Sequence, residues 1–419
     1  MNKRIKILLT VFSVLSTGSY AQLVNDGDAL TLSNNSLIFV DTEFINKSGK
    51  ILNNGTLEVK EDFINNNLTS LVFDRQSTGV VELSANTPQE ITGSRISFPS
   101  LSLLGTASKI LKTDIDVSGV LALGNKELDI KTYTVHITNT DTGAVVRGND
   151  ALTAGTGFIS TDYNGALIRN TNLDSAYLFP LGSTKPNAGL TGVTTLYRPL
   201  KIKPKDAFDN AISASLVNND PSVDNYDKAK KRYDVRTVSD KYYYLLDQKV
   251  GTSSFDVTFY QNSAVDNTYT QLVNWGDYLQ WEKAAPSTVA SGAFGDDLNG
   301  STLNTSIKFI TSKAIHNSAY TFSSDAGGVN PFTFYNAFSP DGDNKNDTWI
   351  IHNIELFPDN QLTIFNRWGD EVYKVKGYTN DKAWNGGGLQ SGTYYYVLTT
   401  TIENQARAFK GFITMIKKN

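Results

Sequence analysis

The chain has 419 residues, with 38 lysines and arginines against 42 aspartates and glutamates, giving a formal net charge of −4 at pH 7. Such a balanced charge gives no electrostatic case for binding nucleic acid or an anionic membrane. The absence of cysteine excludes disulfide bonds, thiolate metal sites and a cysteine nucleophile. Abundant Asn, Ser, Thr and Gly, with 20 tyrosines and 21 phenylalanines, are typical of an exported all-β protein with many turns.

Residues 1–21 are predicted to be a signal peptide. Basic residues precede a short apolar run, Ile7–Leu15, which is too short to span a bilayer as a stable helix. Ser19 and Ala21 supply the small side chains that a signal peptidase recognises, so we expect Gln22 to be the first mature residue. We therefore expect an exported mature chain without a transmembrane helix.

Residues 22–150 are predicted to form short β-strands, because apolar and polar residues alternate in segments such as Gly55–Val59. Asn, Gly or Asp interrupts these segments at short intervals, and Phe44–Asn46 is echoed by Phe63–Asn65. Short strands with nearly regular spacing favour a β-solenoid-like repeat region. A β-sandwich is the competing interpretation, since the spacing is irregular.

The next segments are predicted to be β-rich as well. Residues 151–199 contain many loop-forming residues and are predicted to be a transition segment. Residues 200–324 alternate strands and turns, such as Phe255–Tyr260, at the scale of an immunoglobulin-like β-sandwich. Residues 325–331 have the composition of a linker, which places the last domain boundary before residue 332.

Residues 332–419 are predicted to form a small antiparallel β-sandwich. The segment Gln361–Asn366 alternates cleanly and is followed by a tight turn, Arg367–Asp370, whose glycine can take a positive φ. Two later segments, Thr393–Leu398 and Ala408–Ile416, are expected to form a final hairpin. The predicted fold class of the whole chain is therefore all-β.

Six short motifs follow one another in this last domain: N-x-F-[ST]-P, an acidic D-G-D-x-x-N-D loop, I-F-N-R-W-G, W-[DN]-G, G-T-Y-[FY]-Y and a closing G-x-[IV]. Their defining positions are Asn336, Pro340, Asp341, Gly342, Asp343, Asn346, Asp347, Asn366, Arg367, Trp368, Gly369, Trp384, Gly386, Gly392, Tyr394 and Gly411. In this order the motifs resemble the gliding-motility-associated C-terminal domain, which is the type B sorting domain of the type IX secretion system in Bacteroidota-type bacteria. Two positions depart from the family pattern, Asn344 and Asn385, where Gly and Asp are commoner.

The resemblance implies where the protein is delivered, and it implies no catalytic site. It implies export through the outer membrane by the type IX secretion machinery, followed by attachment to outer-membrane partners at the cell surface or by release. The expected location is therefore the cell surface or the extracellular space.

The acidic motif is also a candidate calcium site. Asp341, Asp343 and Asp347 place hard oxygen ligands at close spacing in a glycine-containing turn, which suits Ca²⁺. The loop is not an EF-hand, because Lys345 and His352 occupy two of the ligand positions. The alternative is a turn in which the side chains accept hydrogen bonds from the local backbone, and we favour it.

The other candidate groups of residues give little evidence of catalysis or metal binding. The three histidines, His136, His316 and His352, lack metal-ligand spacing, and the sequence contains no G-x-S-x-G, H-E-x-x-H, Walker or dinucleotide motif. We therefore predict no catalytic residues, no enzymatic activity and no cofactor apart from the candidate calcium. Trp275 and Trp281 form a candidate aromatic platform for glycans, although a place in a sandwich core is the favoured alternative.

Two classes of function follow from these patterns. The first is a structural or adhesin-like surface protein whose partners are other cells or surface glycans. The second is a secreted carbohydrate-binding or polysaccharide-active protein, which would gain support if Trp275 and Trp281 were exposed and coplanar beside a cleft. We favour the first, because no catalytic motif accompanies the secretion motifs.

Overall fold

The computed structural model describes residues 22–417 except 28, 69–71, 148–155, 233, 285–286, 312–314, 316–317, 325–330 and 403–404. The predicted signal peptide, nearly all of the predicted linker and His316 lie outside the described residues. The chain forms two compact units, residues 1–325 and 326–419, and is nearly all β. Within the described part of the chain, no helix combines the length and apolar character needed to span a membrane.

The first part of the N-terminal unit consists of short strands of two to six residues. These are β1 (Leu23–Asn25), β2 (Leu30–Leu32), β3 (Leu37–Val40), β4 (Phe44–Asn46), β5 (Ile51–Asn53), β6 (Thr56–Val59), β7 (Phe63–Asn65), β8 (Val80–Leu83), β9 (Gln89–Gly93), β10 (Ile96–Phe98), β11 (Leu101–Leu103), β12 (Lys109–Leu111), β13 (Ile115–Val117), β14 (Leu121–Ala122), β15 (Glu127–Asp129), β16 (Thr134–Ile137), β17 (Val145–Val146), β18 (Phe158–Ser160) and β19 (Ala166–Thr171). A 3₁₀ helix, Thr142–Ala144, precedes β17.

These strands form a β-solenoid of about seven turns, which confirms the solenoid prediction for this region. Each complete turn contributes one strand to each of three sides. The first side is the parallel order β1-β4-β7-β9-β12-β15-β18, the second carries β2-β5 and then β10-β13-β16-β19, and the third is β3-β6-β8-β11-β14-β17. In most of these strands alternate residues are buried, and the apolar positions of successive turns form one continuous core.

The turns differ in length, which explains the irregular spacing in the sequence. Phe44 pairs with Phe63 across β4 and β7, whereas Phe63 pairs with Ile91 of β9 after a much longer turn. The inward side chains nevertheless stay stacked, with the rings of Phe44 and Phe63 4.8 Å apart. Extra residues are accommodated between strands without disturbing the register of the core.

The segment predicted as a transition contains β18, β19 and three further short strands. Strand β18 extends the first side of the solenoid, and β19 pairs in parallel with β16 on one edge. On its other edge β19 pairs antiparallel with the strand Asn210–Val217. The second side of the solenoid therefore continues without a break into the antiparallel part of the unit, because one strand can hydrogen-bond parallel on one edge and antiparallel on the other.

The antiparallel part has longer strands. They are β20 (Tyr177–Phe179), β21 (Leu181–Ser183), β22 (Leu196–Tyr197), β23 (Leu200–Pro204), β24 (Asn210–Val217), β25 (Tyr243–Val250), β26 (Phe255–Gln261), β27 (Gln271–Trp275), β28 (Trp281–Lys283), β29 (Thr288–Ser291), β30 (Thr305–Ile310) and β31 (Ser318–Ser323). The orders are β19-β24-β25-β31-β27-β28 and β20-β23-β26-β30-β29, while β21 and β22 end the first side of the solenoid. A 3₁₀ helix, Pro221–Asp224, and a short α-helix, Ser263–Asp266, interrupt the strands. The immunoglobulin-like sandwich stays a prediction.

The C-terminal unit is built around one sheet. Its strands are β32 (Thr333–Phe334), β33 (Ala337–Phe338), β34 (Ile351–His352), β35 (Gln361–Phe365), β36 (Glu371–Lys376), β37 (Gly392–Ile402) and β38 (Gln405–Met415). The sheet order is β33-β38-β37-β35-β36, antiparallel except for the β33–β38 pair, and β32 pairs separately with β34. Two 3₁₀ helices, Ile354–Leu356 and Asn380–Lys382, lie in the connections. The predicted final hairpin corresponds to β37 and β38, and the sandwich form of this unit stays a prediction.

Candidate functional site

The C-terminal sheet has two different faces. Along β37, Tyr394 and Tyr396 are only 7% and 6% exposed, whereas Tyr395 between them is 50% exposed. Because successive side chains of a strand point to opposite faces, one face is covered and the other is open. The motif residues of this domain can therefore be sorted by the face on which they lie.

The covered face is packed with aromatic rings. Trp349 is fully buried, its indole N–H donates to the carbonyl of Tyr335 at 2.7 Å, and its ring lies 4.9 Å from Tyr396. Trp384 is also buried, packs edge-to-face on Tyr394 at 5.6 Å, and its carbonyl accepts the backbone N–H of Trp349 at 2.8 Å. The motif positions Trp384 and Tyr394 therefore belong to the core of the unit.

Two motif glycines make room for that core. A Cβ at Gly411 would lie 2.5 Å from the phenolic oxygen of Tyr396, the residue directly across the β37–β38 pair. Gly386 has φ +83°, which favours glycine, and a Cβ there would collide with the sulfur of Met415. Both positions have a structural reason to be glycine.

The I-F-N-R-W-G motif forms the turn between β35 and β36. The side-chain oxygen of Asn366 accepts backbone N–H groups from Trp368 at 2.9 Å and Asp370 at 3.0 Å, and Gly369 has φ +90°. The Arg367 guanidinium lies 5.0 Å over the ring of Trp368, which is 77% exposed. The turn is fixed by Asn366, while Trp368 is left in solvent.

The remaining motif positions lie at or near the ends of strands. The carbonyl of Asn336 accepts the N–H of Thr414 at 2.8 Å, which attaches β33 to β38. Pro340 is half-buried, and Gly392 begins β37 opposite Met415. None of these positions contributes a reactive side chain.

The acidic loop brings its three carboxylates together. One oxygen from each of Asp341, Asp343 and Asp347 lies within 4.8 Å of the others, and this is the one such group of three among the described residues. Asn344 and Asn346 both have positive φ, 65° and 54°, which makes the loop compact. The three predicted ligands are thus close enough to share a cation.

The same carboxylates already accept backbone hydrogen bonds. The two oxygens of Asp347 accept the N–H groups of Gly342 at 2.7 Å and Asn344 at 2.8 Å. Asp343 accepts the N–H of Lys345 at 2.9 Å. This is the hydrogen-bonded turn that the sequence offered as the alternative to a calcium site, and calcium binding stays a prediction.

The candidate glycan platform is wrong, and the two tryptophans pack in or against the core, as the favoured alternative had it. Trp281 is fully buried, and its indole N–H donates to the carbonyl of Tyr226 at 3.2 Å. Trp275 lies directly opposite on β27 and packs edge-to-face against Trp281, with the ring planes at 78°. The two rings are neither coplanar nor both exposed, because the pairing of β27 with β28 turns both toward the core cluster around Tyr243.

A polar network runs along the outside of the solenoid on its second side. Arg95 donates to Asp116 at 2.9 Å, Asp116 lies 3.5 Å from Nδ1 of His136, and Nε2 of His136 lies 2.9 Å from the amide oxygen of Asn170. The hydrogen bond with Asp116 raises the pKa of His136 above its ordinary value, although burial opposes this. Burial raises the pKa of Asp116, but the hydrogen bonds with Arg95 and His136 outweigh it and hold that pKa well below its usual range. The network links four successive turns.

A groove in the N-terminal unit has a volume of about 630 Å³. It lies between the solenoid and the loop that precedes β30, and hydroxyl side chains line it together with Lys126, Glu127 and Asp296. Phe158 is its one aromatic lining residue among those described, and it is only 4% exposed. The groove offers polar contacts but no exposed ring for stacking on a sugar.

Comparison with family models matches residues 332–415 to the CHU_C type IX secretion signal domain. The match covers the sheet and all six motifs, so the C-terminal unit carries a type IX secretion signal, as the sequence motifs predicted. Comparisons with curated proteins and with solved structures found no match. The signal implies export to the cell surface or the extracellular space and an interaction with the secretion machinery.

One feature was missed in the sequence. The open face of the sheet carries a row of aromatic residues, Phe365, Tyr395 and Phe412, on three neighbouring strands. Thr393–Leu398 is predicted to be a strand of the final hairpin, and successive residues of a strand point to opposite faces. This prediction could not indicate which set of tyrosines faces the core, since Trp349 and Trp384, elsewhere in the chain, decide this.

Proposed function

We propose that the chain is a structural or adhesin-like protein of the cell surface or the extracellular medium, delivered by the type IX secretion system. The observation that supports delivery is the match of residues 332–415 to the secretion signal domain. The proposed partners are the secretion machinery, outer-membrane attachment partners, and other cells or surface glycans. The proposed role requires no catalysis.

The N-terminal unit supports the structural part of this proposal. Its solenoid continues by sheet hydrogen bonds into the antiparallel strands through β19, so the two parts share one core. A core that runs through stacked turns gives a stiff body whose side surfaces are repetitive and suited to contacts with large partners. The sorting domain would then place this body outside the cell.

Deletion of residues 332–419 tests the proposal. We expect the truncated chain to accumulate in the periplasm, while the full chain becomes accessible to protease added to intact cells. A matched control is the full chain with Asn66→Ala, which changes an exposed side chain of the solenoid and leaves the C-terminal unit intact. Surface display of the truncated chain at the level of the control would contradict delivery by this domain.

The alternative function is carbohydrate binding. With Trp281 buried and Trp275 half-buried against it, the groove lined by Lys126, Glu127 and Asp296 is the feature that favours carbohydrate binding. Hydroxyl, amide and charged side chains can recognise sugar hydroxyl groups. Binding to a glycan array that is lost on Glu127→Gln with Asp296→Asn would support this alternative. A blank array for the wild-type mature chain would remove it.

A further inference from the structure

We infer that the open face of the C-terminal sheet, centred on the aromatic row Phe365, Tyr395 and Phe412, is the surface that a protein of the secretion machinery binds. The inference rests on the proposed delivery by this domain and adds to it the side of the domain that is recognised. The kind of partner is a protein surface that is apolar at its centre and carries carboxylates beside that centre.

The row is defined by the sheet register. Tyr395 lies directly opposite Phe365 on one side and Phe412 on the other, so all three side chains point to the same face. Tyr395 and Phe412 are 50% and 51% exposed, and Phe365 is half-buried. Three aromatic side chains in a row on an open sheet face form an apolar patch of the type that marks interaction sites.

Packing in the core explains why the inward-facing positions are aromatic, but it does not explain why the exposed row is aromatic. The residues next to Tyr395 in the sequence, Tyr394 and Tyr396, pack against Trp384 and Trp349 and are buried. The row contributes mainly cross-strand contacts on a face where polar side chains would serve equally well, as the pair of Thr399 and Gln361 illustrates. Exposed aromatic residues of this kind are the residues that dominate binding energy at protein interfaces.

The charges beside the row specify the partner further. In the next row of the same face, Lys410 pairs with Val397, which pairs with Thr363, which pairs with Lys374. Lysines therefore stand at both ends of that row, and the Lys374 ammonium has one exposed carboxylate partner, Glu371, at 3.1 Å. An acidic rim on the partner would complement Lys374 and Lys410 and would steer its approach.

The test uses the full chain in its own cells. Tyr395→Thr with Phe412→Thr removes the two most exposed rings of the row while keeping β-forming residues on an exposed face. Lys374→Glu with Lys410→Glu reverses the flanking charge. The matched control is Ala408→Ser, on the same strand pair and face. We expect each double variant to reduce the surface-displayed fraction by about tenfold or more, as truncation of interface hot spots does, with the control unchanged.

Three further measurements keep the inference separable from the proposal on which it rests. If deletion of residues 332–419 blocks export but both double variants are displayed normally, the inference is wrong and the delivery proposal stands. The melting temperature of each purified variant must stay within a few degrees of wild type; if a threonine variant unfolds, Tyr395→Gln with Phe412→Gln replaces it under the same criteria. A wild-type dimer in light scattering that the threonine variant abolishes, with export unchanged, would assign the face to self-association and overturn the inference.

Discussion

The solenoid and the C-terminal sheet use polar and aromatic residues in opposite ways. In the solenoid, asparagines lie inside: Asn25 donates to Asn46 at 2.8 Å, and Asn46 donates to Asn65 at 3.1 Å, all three buried. In the C-terminal unit, aromatic residues lie outside, on the open face of the sheet. The solenoid therefore includes polar groups in its core, and the secretion signal domain leaves apolar groups in solvent.

This difference separates residues that specify a fold from residues that are free to bind. A stacked turn can bury an amide because the identical amide of the next turn satisfies it. In a single sheet with one covered face, no second layer packs on the other face. Aromatic residues on that open face therefore contribute little to the packing that holds the fold together. The buried asparagines of the solenoid therefore indicate what specifies its fold, and the exposed aromatic residues of the sheet indicate where a partner could bind.

The largest effect is expected from the covered face of the C-terminal sheet. Trp349→Ala should destabilise that unit by about 3–5 kcal/mol, because it leaves a cavity among the aromatic rings. Hydrogen exchange of residues 332–415 in the full mature chain measures this loss. Tyr395→Thr is the control from the open face and should cost less than about 1 kcal/mol. Equal losses for the two variants would show that the faces do not differ as the exposure of Tyr395 indicates.

A smaller effect is expected from the asparagine ladder. Asn46→Ala removes the acceptor for Asn25 and the donor to Asn65, and leaving such buried groups unpaired costs about 1–3 kcal/mol. Chemical denaturation of the mature chain gives the free energy of unfolding. The exposed Asn66 is the matched control, since Asn66→Ala changes the same amide without entering the core. A loss no larger than that of the control would mean that the ladder does not stabilise the solenoid.

The sequence predicted the solenoid from the echo of Phe44–Asn46 in Phe63–Asn65, and these two strands do lie in register. It could not predict the continuity of the solenoid with the antiparallel strands, because the change of strand direction at β19 depends on hydrogen bonds to a distant strand. It left open, for a related reason, whether Trp275 and Trp281 face solvent or, as we favoured, the core. Whether a strand residue faces the core or the solvent depends on the register of its strand with the neighbouring strands. Composition carries little information about register.

The motif residues of the secretion signal were predicted as a set, but their roles were not. Asn366 fixes a turn, and the lack of a side chain at Gly411 leaves room for the Tyr396 ring, so both positions stabilise the fold. Trp368 lies in the same motif as Asn366, Tyr395 lies in the G-T-Y-[FY]-Y motif, and both are exposed. Short motifs combine positions of both kinds, and only packing against the rest of the domain distinguishes them.

The polar network on the outside of the solenoid should give a smaller, pH-dependent effect. Because the pKa of His136 is raised in the folded chain, its stabilising contribution is complete below the unfolded value of about 6.5 and is lost as pH rises through the folded value. His136→Gln should therefore lower the melting temperature most in mildly acidic buffer and least in alkaline buffer. The lowered pKa of Asp116 acts in the other direction, contributing above about pH 4 and fading as pH falls further.

The control for this network is His352→Gln, which changes an exposed histidine of the C-terminal unit. Melting temperatures of the mature chain measured from pH 5 to pH 9 give the comparison, with the range chosen to bracket the ordinary histidine pKa of about 6.5. If the difference in melting temperature between wild type and His136→Gln is constant with pH, or grows as pH rises, protonated His136 does not stabilise the fold through Asp116 and Asn170.

The smallest effect is expected from calcium at the acidic loop. Both oxygens of Asp347 and one of Asp343 accept backbone N–H groups, so the loop is held by its own hydrogen bonds, and an ion would have to share these carboxylates. We expect calorimetric titration of the mature chain with millimolar Ca²⁺ to give no heat and the melting temperature to stay unchanged. Asp341→Asn is the matched control, since it removes one charge of the set while keeping an oxygen. Heat or a rise in melting temperature that Asp341→Asn weakens would instead establish the ion and add a cation to what fixes this loop.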